Sequence, residues 1–110
     1  MNIAVEEKGA YTRVGLAGKL DVRGAEAIEI KFILATKNRD RVVVDLSELE
    51  YIASMGIRLL VMAGKASALR GGKIVMVGAN DAVAKVITTA GIDEIVPLVA
   101  DWTAVQASFA

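Results

Sequence analysis

Residues 41–56 read RVVVDLSELEYIASMG, and the rest of the chain has to be arranged around them. Three consecutive β-branched residues, Val42, Val43 and Val44, stand between the charges of Arg41 and Asp45. Side chains of a strand alternate between its faces, and here both faces are apolar, which is the pattern of a strand buried on both sides. A short polar connection through Ser47 and Glu48 follows, then the pair Tyr51-Ile52, then the small group Ala53-Ser54-Met55-Gly56. A long apolar segment begins after Gly56. The stretch predicts a buried strand, a loop, and a serine where the next helix starts.

The flanking segments supply partners for such a strand. Residues 2–7 and 11–17 read as two strands around a turn at Lys8-Gly9-Ala10, with Val14 and Leu16 alternating with Arg13 and Gly15. Gly18-Lys19-Leu20-Asp21 reads as a tight turn. Over residues 23–37 the period becomes helical, with Ala25, Ile28, Phe32 and Ala35 on one face. Ile30, Ile33 and Leu34 widen the apolar zone beyond one packing stripe, so this helix is either deeply buried or meets another chain. A second helix carries Ile57, Leu60, Val61, Gly64 and Ala68 on one face, with Leu59, Met62, Ala66 and Leu69 beside them. Arg70-Gly71-Gly72-Lys73 stops it, glycine lying just past the end and basic residues near the negative pole.

Residues 74–77 are a further short strand. Asn80 or Asp81 caps a third helix, in which Val83, Val86, Ile87 and Ala90 fall at i, i+3, i+4 and i+7, and Gly91 ends it. Residues 95–99 read as a last strand that Pro97 confines to an edge or cuts short. Asp101 caps a final helix whose Trp102, Val105 and Phe109 are spaced to dock on the body. Helices alternate with buried strands in the second half, while the first two strands are joined by a turn too short for a crossover. The fold class is therefore α/β, a mixed sheet covered by helices.

Composition narrows the chemistry. With 110 residues, 55% of them hydrophobic and only 5% aromatic, the chain suits one domain with an aliphatic core. Thirteen basic residues balance 13 acidic ones without a local cluster, so the electrostatic footprint of nucleic-acid binding is missing. Histidine and cysteine are both absent. Their absence removes the usual zinc ligands, the Ser–His and Cys–His nucleophile pairs, and disulfides; no cofactor is expected. The first residues, MNIAVEE, lack the basic and apolar regions of a secretory signal. Mean hydropathy is high at +0.49, yet polar residues interrupt every apolar run short of the roughly 18 residues that a membrane-spanning helix needs. A cytoplasmic domain without membrane insertion is the expectation.

Ser54 admits two local readings. Serine is a favoured helix N-cap, stabilising by about 1 kcal/mol relative to alanine, although Ile57 gives no reciprocal capping box. The alternative is a phosphorylation switch. A helix start offers unpaired N–H donors and positive potential, and Gly56 would leave room for the backbone to approach a phosphate. Phosphoserine brings roughly −1.5 to −2 charges, which beside an apolar contact surface would release a bound partner and leave the fold intact.

The order of these features resembles a known family. A strand ending Val44-Asp45-Leu46-Ser47, the Tyr51-Ile52 pair, Ala53-Ser54-Met55-Gly56, an aliphatic helix and Arg70-Gly71-Gly72-Lys73-Ile74-Val75 together resemble a STAS domain. Gly18-Lys19-Leu20-Asp21 matches the family's Gly-x-Leu-Asp turn, and Ala90-Gly91-Ile92-Asp93-Glu94-Ile95 its third-helix ending. More narrowly, the chain is similar to the stand-alone bacterial anti-sigma factor antagonists (anti-anti-sigma factors) over nearly its whole length. The resemblance implies a single STAS-like domain over residues 1–110, with a mixed four- to five-stranded sheet covered by about four helices. It implies a non-enzymatic regulator that binds an anti-sigma factor/serine kinase when unphosphorylated and so frees a sigma factor. A metal-dependent serine phosphatase would reverse the phosphorylation.

Aligned on Gly56, the phosphoacceptor falls on Ser54. The partner-binding residues implied are Asp21, Ala53, Met55, Gly56, Ile57 and Arg58. Ala53 stands where the family motif has an acid, and Met55 where it has a second serine, so the serine loses a carboxylate neighbour and gains an adaptable apolar one. Ser47, Thr88 and Thr89 are fallback acceptors. A homodimer through the exposed apolar helix faces is a further expectation.

Two other functions compete. Ser54 would only cap a helix in a non-switching STAS adaptor subunit of a signalling assembly or a lipid-transport ATPase, where Ile30, Ile33 and Leu34 would serve the assembly. An enzyme would need Asp21 and Asp45 as a carboxylate pair with Ser54 as nucleophile, and without histidine no convincing base is in place.

Overall fold

The valine run is the middle of the sheet, and the molecule is built outward from it. The computed structural model describes residues 1–109. Five strands lie side by side in sequence order: β1 (Asn2–Glu7), β2 (Thr12–Leu20), β3 (Arg41–Ile52), β4 (Lys73–Val77) and β5 (Leu98–Val99). β1 and β2 form an antiparallel hairpin, and β2 to β5 run parallel. Helices α1 (Val22–Thr36), α2 (Ser54–Leu69) and α3 (Asp81–Thr89) follow β2, β3 and β4 in turn, and α4 (Trp102–Ser108) follows β5. This is the mixed α/β sheet with four helices that the sequence predicts.

The alternation of β3 distributes two cores. Val42, Val44, Leu46 and Leu49 join Val14, Leu16, Ile74 and Met76 against Ala25, Ile28 and Phe32 of α1, Leu59 and Leu60 of α2, and Val83 and Ile87 of α3. Val43 belongs to a second, smaller cluster with Val75 and Val77, closed by Val105 of α4 and by Phe109 just past its end, and edged by Tyr11. Each fully buried aliphatic side chain contributes about 1.5–3 kcal/mol over exposure. The larger cluster therefore holds the fold, and the smaller one seats α4.

Four local expectations change. The polar segment after Asp45 is not a loop: β3 runs unbroken for 12 residues, with Leu49 and Ile52 buried and Ser47, Glu48 and Glu50 outward. The cause is its neighbour. β2 continues past Ala17, pairing Gly18 with Leu49, Lys19 with Tyr51 and Leu20 with Ile52, across two register shifts. Gly18 takes φ +104° at one of them, a conformation that side chains other than hydrogen disfavour. So residues 18–20 are strand and not turn, and Asp21 instead begins α1.

The buried face of α2 is Gly56, Leu59, Leu60, Gly64 and Ser67, rotated from the one predicted, and Ala68 and Leu69 are exposed. Glycine sets this rotation. A Cβ at Gly64 would stand 2.5 Å from Cγ2 of Val96, so only a bare Cα lets the helix touch the segment before β5. That last strand is two residues long and lies at the sheet edge. Residues 92–94 form a 3₁₀ turn, and Pro97, which has no N–H, only accepts, from the Met76 N–H at 2.8 Å. No helix among the described residues is long and apolar enough to cross a membrane.

Candidate partner-binding site

Parallel strands deliver their helix starts to one edge of the sheet. Leu20 of β2 stands opposite Ile52 of β3, and the Ala53 N–H donates to the Leu20 carbonyl at 3.0 Å. Asp21 and Ser54, which begin the two following segments, are thereby brought side by side from 33 positions apart in sequence. The start of α3 is tied to the same edge: Asn80 Nδ2 donates to the Leu49 carbonyl at 3.1 Å, and Asn80 Oδ1 accepts from the Val83 N–H at 2.8 Å.

Both α1 and α2 carry glycine three positions past their caps, and in both the reason is the end of β2. A Cβ at Gly24 would come within 2.2 Å of the Lys19 carbonyl oxygen, and one at Gly56 within 2.5 Å of Leu20 Cγ and 3.0 Å of the Leu20 oxygen. Gly56 is buried. Its lack of a side chain is spent on packing the helix against Leu20, not on leaving space beside the serine as the sequence reading had it.

Ser54 is not a cap. The cap position of α2 is Ala53, and Ser54 is the first helical residue, exposed to solvent. The other helices are capped by side chains: Asp21 Oδ1 accepts from the Gly24 N–H at 2.8 Å, Asn80 from Val83, and Asp101 Oδ1 from the Ala104 N–H at 2.9 Å. In α2 the first helical bond is the Ile57 N–H to the Ala53 carbonyl, and alanine offers no acceptor for the earlier amides. The positive end of a 16-residue helix is thus left without a side-chain acceptor directly at an exposed hydroxyl.

Of the residues assigned to partner binding, Asp21, Ala53 and Arg58 reach the surface around Ser54, Arg58 one turn along the same helix. Met55 and Ile57 are half-buried and pack on the main core, so they offer edges and not whole side chains. Two residues were missed. Val22, first in α1, and Tyr51, paired in register with Lys19, are each more than half exposed at this edge. Their signal was an apolar residue at the start of α1 and another three positions before the start of α2.

The fallback acceptors are elsewhere or engaged. Thr88 Oγ1 donates to the Ala84 carbonyl at 3.0 Å, and Thr89 ends α3 at the opposite end of that helix. Ser47 is exposed on β3 and donates its N–H to Asp45 Oδ1 at 3.0 Å. Asp45 is committed as well: Arg13 holds its Oδ2 through Nε at 3.0 Å and Nη2 at 2.9 Å. Burial pushes this carboxyl up, but the hydrogen bonds from Ser47 and Arg13 and the guanidinium charge outweigh it and hold it below its usual range. Asp45 stands opposite Gly15, whereas Asp21 follows Leu20, on the order of 15–20 Å farther along the sheet at strand spacing. The two acids form no pair around Ser54.

A mixed sheet with three helices on one face, one on the other, and three helix starts gathered at a single edge defines an α/β domain that presents Ser54 on its surface. The sequence model of the family described as "Mlab, STAS domain" matches residues 3–99, and the chain belongs to the STAS domain family. No curated protein sequence matches it. Among solved structures it is similar to an anti-sigma-factor antagonist (STAS) domain protein from Planctomyces limnophilus, with 23% identity, TM-score 0.86, and 98% of this chain and 97% of that one covered. It is similar to an anti-sigma factor antagonist from Mycobacterium paratuberculosis at 22% identity and TM-score 0.86, covering 98% and 92%. A third likeness is to the Bacillus cell fate determinant SpoIIAA in its phosphorylated form, at 16% identity and TM-score 0.72, covering 97% and 99%. At these identities the structures speak for the fold.

Proposed function

We propose that this STAS domain is a non-catalytic regulator that binds an anti-sigma factor/serine kinase while Ser54 is unmodified, frees a sigma factor, and is released when Ser54 is phosphorylated. The observation that carries the reading is the exposed Ser54 hydroxyl in the first turn of a helix without a side-chain cap. A phosphate there meets the open amides and the positive pole, so the helix accommodates it. Asp21, Ala53, Arg58 and the accessible edges of Met55 and Ile57 surround the acceptor as the contact surface, with Val22 and Tyr51 as its apolar flanks, while buried Gly56 lets α2 close on Leu20 beneath them. Binding has to desolvate this surface, and the added charge opposes that. The switch therefore acts on affinity while the fold stays as it is. A metal-dependent serine phosphatase resets it.

The test uses the anti-sigma kinase of the same genome. Wild-type protein co-purifies with it, and Ser54→Glu does not. Equal binding of the two would sink the release mechanism. Intact mass after incubation with kinase and ATP rises by one phosphate, and a rise that survives Ser54→Ala would move the acceptor elsewhere.

One observation favours a second reading. Ala53 offers the hydroxyl no carboxylate from the preceding residue, which fits a non-switching adaptor subunit of a signalling assembly or a lipid-transport ATPase. In that case Ser54→Glu would bind its assembly as wild type does and no phosphate would be gained.

A further inference from the structure

We infer that the chain forms a two-fold symmetric dimer through α1, a second copy of itself lying antiparallel on the first. α1 turns Ala25, Ile28, Phe32 and Ala35 to the core. Its opposite side carries Glu26, Ile30, Ile33 and Lys37, all exposed. Their spacing of four, three and four residues is that of a seam between packed helices. Ile30 is 74% exposed and Leu34 beside it 62%, in a helix whose own core contacts are already complete. Ile33 leans toward α2, and with Met62, Ala63 and Ala66 it lines an apolar groove of about 450 Å³ that ends at Lys37 and Arg70.

The order of charges selects the occupant. Along the seam the sequence runs acid, isoleucine, isoleucine, base, and the spacing is the same from either end. A copy turned end for end about the point between Lys31 and Phe32 sets Ile30 against the partner's Ile33 and Glu26 against the partner's Lys37. The two-fold axis then repeats both contacts, as an isologous interface requires. A parallel copy would oppose acid to acid and base to base, which disfavours it. Among the described residues neither Glu26 nor Lys37 forms an ion pair within its own chain. The isoleucines and Leu34 supply affinity, and the charges fix the direction.

Sedimentation equilibrium of the full chain across the micromolar range tests this. Wild type sediments as a monomer–dimer equilibrium. Ile30→Glu, at a position exposed in the single chain, is monomeric with an unchanged circular dichroism spectrum. Glu26→Lys weakens dimerisation at least about tenfold by facing like charges, and the double variant Glu26→Lys/Lys37→Glu restores it. A wild type that stays monomeric, an Ile30→Glu chain that dimerises as wild type, or a double variant as weak as the single one would each overturn the proposal. The chain has no cysteine, so introduced thiols give an independent readout: Ile30→Cys and Ile33→Cys chains cross-link faster when mixed than either does alone, and the reverse order would exclude the antiparallel register.

Discussion

Alanine at the cap of α2 decides what Ser54 is free to do. Because Ser54 makes no cap, Ser54→Ala changes stability by less than about 0.5 kcal/mol, whereas Asp21→Ala, which removes the Gly24 hydrogen bond, costs about 1 kcal/mol. Ala53→Asp supplies the missing acceptor and stabilises by about 1 kcal/mol. Ser54→Glu leaves the melting temperature unchanged or slightly raised, the helix dipole contributing about 0.3–1 kcal/mol. Urea unfolding of the four variants measures these differences, and a large loss in Ser54→Ala would return the residue to the role of cap. Gly56 belongs to the same argument. Gly56→Ala drives a Cβ to 2.5 Å from Leu20 Cγ and 3.0 Å from its carbonyl oxygen, so it costs about 1–3 kcal/mol by overpacking. Neither role is visible from residue type, because capping and close approach depend on where the backbone of β2 ends.

Among the elements, α4 is the most weakly held. It is seven residues long, and its hold on the sheet is the small cluster of Val43, Val75, Val77, Val105 and Phe109. Trp102 adds only an edge contact to Tyr11, with ring centroids 6.1 Å apart. Val105→Ala, at a fully buried position, costs about 2 kcal/mol and loosens this helix before the others. Amide exchange should rise in α4 and at Val99 and stay slow in α1 and in β3 around Val43. Equal acceleration throughout would show that the two cores unfold as one. This element was legible beforehand: Asp101 as cap and the spacing of Val105 and Phe109 are local patterns. The length of β3 was not, since Ser47, Glu48 and Glu50 are polar and only their pairing with the extended end of β2 keeps them in a strand.

At the scale of the whole molecule, α4 covers only part of the second sheet face, and the remainder is held by charge. Glu6 of β1, Arg13 of β2 and Asp45 of β3 form a continuous chain of ion pairs, Arg13 Nη1 to Glu6 Oε1 at 2.6 Å and Nη2 to Asp45 Oδ2 at 2.9 Å. Asp45 is 6% exposed. Its carboxyl sits below the ordinary value when folded, so its contribution is complete above the unfolded pKa of about 3.9 and fades as pH falls through the folded one. Asp45→Asn should cost about 2 kcal/mol near neutrality, and the gap from wild type should narrow below about pH 4. Urea midpoints at a series of pH values check this, and a gap that is constant down to pH 3 would mean the charge of Asp45 is not what stabilises the sheet.

By itself the sequence determined the elements whose causes are local. The β-branched run at Val42–Val44, the helical period of Ala25, Ile28, Phe32 and Ala35, the caps at Asn80 or Asp81 and at Asp101 and the interruption at Pro97 depend on neighbours a few residues away, and so does the α/β class that follows from their order. Only the tertiary structure decided the rest. The parallel pairing of β2 with β3 carried β2 three and β3 six residues past their apparent ends, moved the cap of α2 to Ala53, spent Gly56 on Leu20, and set Asp21 beside Ser54. These are contacts between segments some thirty residues apart, and no local pattern encodes where two such backbones will meet.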